Sequence, residues 1–437
     1  MIKVLVSTWA LLLGILLLLV GNGVQGTLLG VRGGIEGFST LAMSIVMSGY
    51  FVGFLGGSRL APGMIRRVGH IRVFAALGSM ISAILILYPA FAHPISWTIG
   101  RILIGFCFSA VYVTAESWLN NSVDNSNRGK ALSLYMITQS AGIVIAQGLL
   151  VLGDPSGFIL FVIPSVLVSI SFTPILLSVA PTPAFATTKP MSLRQLYTIS
   201  PLGCIGIFLL GGMYSAMLGM ASVFGSAAGL SVAQISSFVA ALYLGGLCCQ
   251  FPVGWMSDRL DRRGMILWIS VIGTVISALG LMFGASSYVV LLMVAFGVGG
   301  MTNPLYALLI AYTNDYLDPE DMAAASGGLL FLNGLGAIAG PLLTGWIMAQ
   351  VGPYGFFLFI GLLMAALALY AAWRMTQRQS PSSVETVSYA PILPTATSVV
   401  AELAQEVFIE NQEEVVSDAQ DEAELEYAAR EAADRTG

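Results

Sequence analysis

Long apolar runs organise this chain. Twelve stretches, residues 4–26, 40–60, 73–92, 96–119, 131–153, 157–180, 201–223, 232–254, 265–285, 288–312, 324–350 and 354–373, carry almost no charge and are separated by short polar breaks. Crossing hydrocarbon as a helix takes about 20 apolar residues, because every backbone polar group must be satisfied within the segment. The pattern therefore predicts an all-α membrane protein with twelve transmembrane helices. The first run follows Met-Ile-Lys and ends in GNGVQG without a small-residue cleavage site, so with eleven runs behind it, it reads as an uncleaved helix.

The longest break between runs, SVAPTPAFATTKPMSLRQLYTIS, is rich in Pro, Thr and basic residues and divides the runs six and six. The expected organisation is a six-helix bundle over residues 1–180, a linker over 181–200, a second six-helix bundle over 201–375, and a tail over 376–437. At 57% hydrophobic residues and a mean hydropathy of +0.85, the chain needs lipid around it.

The formal charge of −5 hides a division. Residues 378–437 hold 13 acids and 3 arginines, net −10, which leaves 15 basic and 10 acidic residues before them, net +5. The tail opens QSPSSVETVSYAPILPTATS, the composition of a segment too poor in apolar residues to fold alone, so it is expected to be disordered, solvated and acidic. Basic residues collect on one side of the short loops, including Lys3, Arg59, Arg66, Arg67, Arg72, Arg128, Lys130, Arg194, Arg259 and Arg374, with Arg32 on the other. Positive residues resist translocation, which puts both termini in the cytoplasm. Cys107, Cys204, Cys248 and Cys249 all lie inside apolar runs without metal-site or redox spacing and read as packing residues.

Charge is concentrated after the second and eighth runs. SRLAPGMIRRVGHIR follows the second; GWMSDRLDRRG, with Asp258, Arg259, Asp261, Arg262 and Arg263, follows the eighth. Charged loops at matching places in two six-span halves suit a duplicated transporter. Over about residues 1–375 the chain resembles the major facilitator superfamily, in its bacterial type. That family carries G-x-x-x-D-R/K-x-G-R/K-R/K after its second and eighth helices. Gly254, Asp258, Arg259, Arg262 and Arg263 match it, with Asp261 where Gly is usual; the first-half copy puts Arg66 in the Asp position and Pro62 in place of the leading Gly. A second family pattern, R-x-x-x-G, is present as Arg101 and Gly105 in the fourth span, and NGLGAIAGPLLTG in the eleventh looks like the family's Gly-Pro packing motif. The resemblance implies two six-helix bundles around a central cavity, alternating access, and a small-molecule substrate.

Apart from Arg59 at the very end of the second, only Arg101 and Glu116 are charged within the spans, both in the fourth. With Gly105, Phe108 and Tyr112 they share one helix face, and they stand about 22 Å apart along it. Arg101 either lines the cavity, binding an anionic group or modulating a proton site, or snorkels to headgroups; Glu116 either gates or titrates at the inner mouth, or pairs with an arginine such as Arg128. The family lines its cavity with the first, fourth, seventh and tenth helices. The candidates there are Asn22, Gln25, Tyr112, Tyr214, Asn303 and Tyr306, joined by Gln139 and Gln147 in the fifth span and Asn333 in the eleventh. As a set they suit a small neutral or amphipathic solute. Protons are the candidate coupling ion, with Glu116 as the carboxylate available inside a span. Arg32 and Glu36 read as a gate pair at the outer mouth or as a surface pair worth under about 1 kcal/mol.

The resemblance also implies a cytoplasmic gate. There Asp258 and Asp261 would meet Arg128, Lys130 and the positive end of the fifth helix, while Arg66 and Arg67 would meet Asp318, Glu320 and Asp321. Other classes find little support. There is no phosphate-binding G-x-x-x-x-G-K-[ST] loop, and the two histidines, His70 and His93, are isolated. The expectation is a monomeric secondary transporter of the bacterial inner membrane, with no cofactor, no metal, no enzymatic activity and no nucleic-acid partner. Its direction leans toward efflux over uptake. The competing expectation is a transport-inactive sensor or scaffold working through the acidic tail.

Overall fold

In the computed structural model, residues 2–121, 127–176 and 191–377 are described; most of the linker and the tail from residue 378 lie outside them. The secondary structure of the described residues is helical throughout. The spans are α1 (Ile2–Ile35), α2 (Thr40–Val68), α3 (His70–Ala90), α4 (Pro94–Asn121), α5 (Arg128–Val151) and α6 (Ile159–Leu176) in the first half. A short helix, α7 (Leu193–Ile199), capped by the Ser192 hydroxyl, ends the linker. The second half holds α8 (Pro201–Ser215), which runs through a π-helical turn at Ala216–Met220 into α9 (Ala221–Ala227), then α10 (Val232–Ser257), α11 (Arg262–Phe283), α12 (Tyr288–Asn314), α13 (Pro319–Val351) and α14 (Gly355–Met375).

Eleven spans are long and apolar enough to cross a membrane, α8 and α9 counting as one; the twelfth, α6, is followed only to Leu176, short of the expected end at 180. Several helices outrun their apolar cores. The first continues to Ile35 rather than ending at 26, and the second continues to Val68, carrying Arg59, Arg66 and Arg67 on its last turns instead of in a loop. Hydropathy marks where lipid ends, whereas helical hydrogen bonding carries on into the headgroup layer. Side-chain caps fix several starts: Ser39 accepts from the Ala42 amide, and Ser231 and Gln234 form a capping box at α10.

The helices pack as two bundles with the same internal plan. α2 lies on α4, α1 on α5 and α6, and α3 on α6; α10 lies on α12, α8 on α13, and α11 on α14. The closest crossings are backbone on backbone. A Cβ at Gly53 would stand 1.8 Å from the Ile102 carbonyl oxygen, and one at Gly105 would stand 1.9 Å from that of Tyr50. In the second half Gly245 meets the Phe296 carbonyl at 1.9 Å and Gly299 meets that of Leu242 at 1.8 Å. Only glycine permits this approach. The paired crossings also set the register between the halves. Gly53 answers to Gly245 and Tyr50 to Leu242, both 192 residues on, while Gly105 answers to Gly299 and Ile102 to Phe296, both 194 on.

The bundles meet along α1 and α9, α2 and α13, and α5 and α10. On the face opposite the basic loops they close tightly. A Cβ at Gly30 of α1 would lie 2.0 Å from the Ser222 hydroxyl of α9, one at Gly34 2.1 Å from that of Ser226, and one at Gly345 of α13 2.3 Å from the Ser44 Cβ of α2. Nearer mid-height the Ser48 hydroxyl donates to the Ile338 carbonyl at 2.6 Å. Gly30→Leu should wedge the α1–α9 contact open. An overpacking cost of about 1–3 kcal/mol shifts the open-to-closed ratio roughly 5- to 150-fold. A Thr27→Cys reporter, labelled from that face with an impermeant maleimide, should then react correspondingly faster; unchanged labelling would place the seal elsewhere.

Candidate functional site

Three cavities lie between the bundles and share Tyr214 as a common wall. One is set between α2, α8 and α13 and includes Tyr50 and Asn333. The second brings Asn22, Arg101, Tyr112, Gln139 and Gln147 of the first bundle to Leu218 and Tyr243 of the second. The third lies between α5 and α10 and includes Gln250 and Asn303. Ser133 and Phe251 line its far end, roughly 8–9 Å from the basic-face ends of their helices. The π turn bears on this layout. One extra residue in a turn takes about 100° off the azimuth of the helix beyond it, which brings Ser222 and Ser226 onto the face that carries Tyr214; Tyr214 stands at the cavities and the two serines, farther along, against α1.

Arg101 is 3% exposed and points into the protein. Its Nη1 donates to the Gln25 side-chain oxygen at 2.9 Å, its Nη2 contacts the Met47 sulfur at 3.5 Å, and its guanidinium lies 4.7 Å from the centre of the Tyr50 ring. Asn22 donates to the hydroxyls of both Tyr50, at 3.2 Å, and Tyr112, at 3.1 Å, linking α1, α2 and α4. Glu116, 1% exposed, lies deeper toward the basic face, where the Tyr135 hydroxyl of α5 donates to it. It lines none of the three cavities.

The second bundle supplies amides. Asn303 reaches its cavity past Gly246, where a Cβ would stand 1.9 Å from its amide nitrogen. Gln250, 4% exposed, has no protein partner for either amide atom. Of the residues expected at the site, Arg101, Tyr112, Asn22, Gln139, Gln147, Tyr214, Asn303 and Asn333 line these cavities, and Gln25 stands behind Arg101. Tyr306, 2% exposed, lines none of them. Tyr50, Tyr243 and Gln250 were not singled out. Each is a polar or phenolic residue within the second or eighth run, helices passed over in favour of the four that the resemblance named.

At the basic face the described charges of the second bundle pair largely among themselves. Arg262 forms an ion pair with Asp315 at the end of α12, donates to the Ser257 hydroxyl at 3.1 Å, and lies 3.7 Å from Asp258; Arg263 lies 3.5 Å from Asp261. Arg259 turns back onto the Trp255 ring at 4.3 Å. Asp318 and Asp321 are exposed, as are Arg66 and Arg67, and Lys130 bonds Asn127 at 3.3 Å. The side chains of Arg128 and Glu320 lie outside the described residues. On the opposite face Arg32 pairs with Glu36 at 2.6 Å and donates to the Pro155 and Ser156 carbonyls, so it ties α1 to the α5–α6 loop within one bundle. In that loop the Ser156 hydroxyl and amide hold the Asp154 carboxyl below its usual range.

The described residues contain no group of three or more His, Cys, Asp or Glu placed to hold a metal. Residues 11–231 and 202–404 match the model of the Major Facilitator Superfamily. An uncharacterized MFS-type transporter of Yersinia pestis (strain Pestoides F) is 28% identical over 357 residues, covering 80% of this chain and 91% of the relative. Among solved structures, a mutant of the nucleoside transporter NupG superposes with a TM-score of 0.71 at 14% identity, covering 84% of this chain and 99% of its own. A bacterial homologue of the lysosomal transporter Spinster, inward-facing and unoccupied, superposes at 0.65 with 13% identity, over 92% of this chain and 98% of its own.

The Arg262–Asp315 pair is the most deeply buried of the described ion pairs, its side chains 2% and 3% exposed. Asp315→Ala should cost about 3 kcal/mol, at the low end for breaking a buried pair because Asp258 stays in reach, and Arg262→Met with Asp315→Leu together should recover most of it. Unfolding midpoints in detergent check this; equal midpoints for single and double variants would show that the pair contributes nothing.

Proposed function

The chain belongs to the Major Facilitator Superfamily, a family of secondary transporters, and from that premise we propose that it moves a small neutral or amphipathic solute by alternating access around Tyr214. The observation that carries this reading is the shared wall itself: phenol and amide groups from both bundles converge on one set of cavities at the seam between them. Hydrogen-bonding groups facing apolar walls recognise a solute with a polar end and an apolar body. Both termini lie in the cytoplasm of a bacterial inner membrane, as the loop charges support, and the transporter works as a monomer. The direction is efflux, with protons as the coupling ion. Glu116, against Tyr135 and away from the cavities, is the group that carries the proton.

The alternative is a scaffold acting through the acidic tail. One assay separates the two: cells expressing wild type, Arg101→Ala, or a chain ending at residue 377 are screened for uptake of and resistance to amphipathic compounds. Transport should fall on the order of 100-fold with Arg101→Ala, as for loss of a buried charged contact, and survive removal of the tail. Transport unchanged in Arg101→Ala would remove the central site, and a phenotype lost with the tail alone would favour the scaffold.

The basic-face charges form a clasp in this reading. In the register set by the glycine crossings Arg66 corresponds to Asp258, so the two copies carry opposite signs at one place. With the opposite face sealed, Asp318 and Asp321 stand exposed. When the bundles rock the other way, Arg66 and Arg67 reach them, and Asp258 and Asp261 reach the start of α5. Arg66→Asp should then raise labelling of a Ser133→Cys reporter from the basic face, and Asp318→Arg on that background should lower it again. No rescue would sink the clasp.

A further inference from the structure

Arg101 is the one charged residue in the lining of the three cavities. It is buried inside a membrane span, and the described ion pairs involve Arg32, Arg262 and Arg263 instead. Its own contacts are neutral: an amide oxygen, a thioether sulfur and an aromatic face. An arginine cannot shed its proton to escape such a site, and an uncompensated cation in a membrane interior is among the costliest arrangements a protein can hold. No acidic side chain answers it among the described ion pairs.

The hydrogen-bond inventory of the same corner points the same way. Arg101 Nε has no acceptor, nor has the Gln25 amide nitrogen beside it. The Tyr50 and Tyr112 hydroxyls both accept from Asn22, which leaves their own protons to donate elsewhere. Four donors thus surround one place; the unpartnered acceptors near them are Gln147 Oε1, whose amide can turn its nitrogen inward instead, and the Tyr88 and Tyr243 hydroxyls, which bring protons of their own. A carboxylate accepts only. Around this corner the walls are apolar: Leu19, Ile143, Leu218 and Val239.

Resting on the transporter reading above, we propose that the solute is an amphipathic organic anion whose acceptor-only head binds between Arg101 and Gln25, with its apolar body against the α1, α5 and α10 walls. Occupied, the cavity is neutral; empty, it holds an unpaired charge. The positive charge thereby discriminates against amines and favours acids of the same shape. An inorganic anion offers the head without the body and would gain nothing from the apolar walls.

The test uses the purified full chain in lipid nanodiscs and reads the unfolding midpoint by tryptophan fluorescence. Benzoate, phenylacetate and octanoate are titrated against their neutral amides and against chloride and phosphate. At least one of the organic acids should raise the midpoint, its amide should do so on the order of 100-fold more weakly, and Arg194→Gln, on an exposed linker residue, should bind as wild type does. Gln25→Glu is the decisive variant. It sets a carboxylate against Arg101 from within, so the unliganded protein should be as stable as wild type or more so while acid binding is lost. Arg101→Lys should retain part of the binding and Arg101→Gln none.

Acid binding that persists in Gln25→Glu, amides that match the acids, or no acid binding at all would overturn the anionic head. Stabilisation by chloride and phosphate alone would overturn the organic body. If the amides bind and Tyr214→Ala abolishes that binding, the solute site stands and only its charge is wrong; if neither acids nor amides bind and the cell screen finds no transport, the transporter reading fails with it.

Discussion

Hydrocarbon offers no hydrogen bonds, and that constraint shapes the rest of this molecule. It forces the backbone into helices, which makes each span self-sufficient and leaves contact between spans to close packing. The tightest contacts are therefore those where no side chain intervenes, at Gly53 and Gly105 in one bundle and Gly245 and Gly299 in the other. It also draws polar side chains within spans toward the interior. Asn22 bonds Tyr50 and Tyr112, and Arg101 bonds Gln25, at the seam between the bundles, where several polar groups still stand without a protein partner.

The two halves share a scaffold and differ in what they mount on it. The glycine register aligns Arg101 with Ala295, so the guanidinium has no counterpart in the second bundle. It aligns His70 with Arg262. Where the second bundle buries the Arg262–Asp315 ion pair, the first has His70 bonded to the Ser117 hydroxyl at 3.2 Å and lying against Trp118. Glycine crossings that hold each bundle together are kept in both copies, whereas Arg101 and the Arg262–Asp315 pair are not. Duplication supplied the frame, and divergence at a few polar positions made the two sides of the cavity chemically different.

Much of this was legible in the sequence because lipid leaves a coarse signature. Twelve apolar runs, the central break and the R-x-x-x-G and G-x-x-x-D-R patterns were enough to indicate helix number, pseudo-repeat and family. Helix ends were less legible: α2 continues through SRLAPGMIRR because hydropathy marks the edge of the hydrocarbon and not the end of hydrogen bonding. At the site, Arg101 and Tyr214 stood out by residue type, but Tyr50, Tyr243 and Gln250 did not. A phenol or amide inside an apolar run is read as helix-to-helix glue unless its azimuth is known, and azimuth depends on tertiary packing. The π turn at Ala216–Met220 was invisible for a related reason: AMLGM has no proline and no charge to mark it.

That turn shows how a local irregularity serves two surfaces on one span. On a regular α-helix through residues 201–227, Ser222 and Ser226 would stand about 80° and 120° around from Tyr214, off the stripe that faces the other bundle. By widening one turn, the chain brings them back in line, with Tyr214 at the cavities and, two turns on, Ser222 and Ser226 against Gly30 and Gly34. The hydroxyls lie where the glycines leave room, so the seal is made by small groups that separate without stranding a large apolar surface. Because the turn joins Tyr214 to the residues of the seal, a solute bound as proposed that moved Tyr214 would act on the helix that closes the opposite face. Binding and gating would then share one mechanical element rather than two.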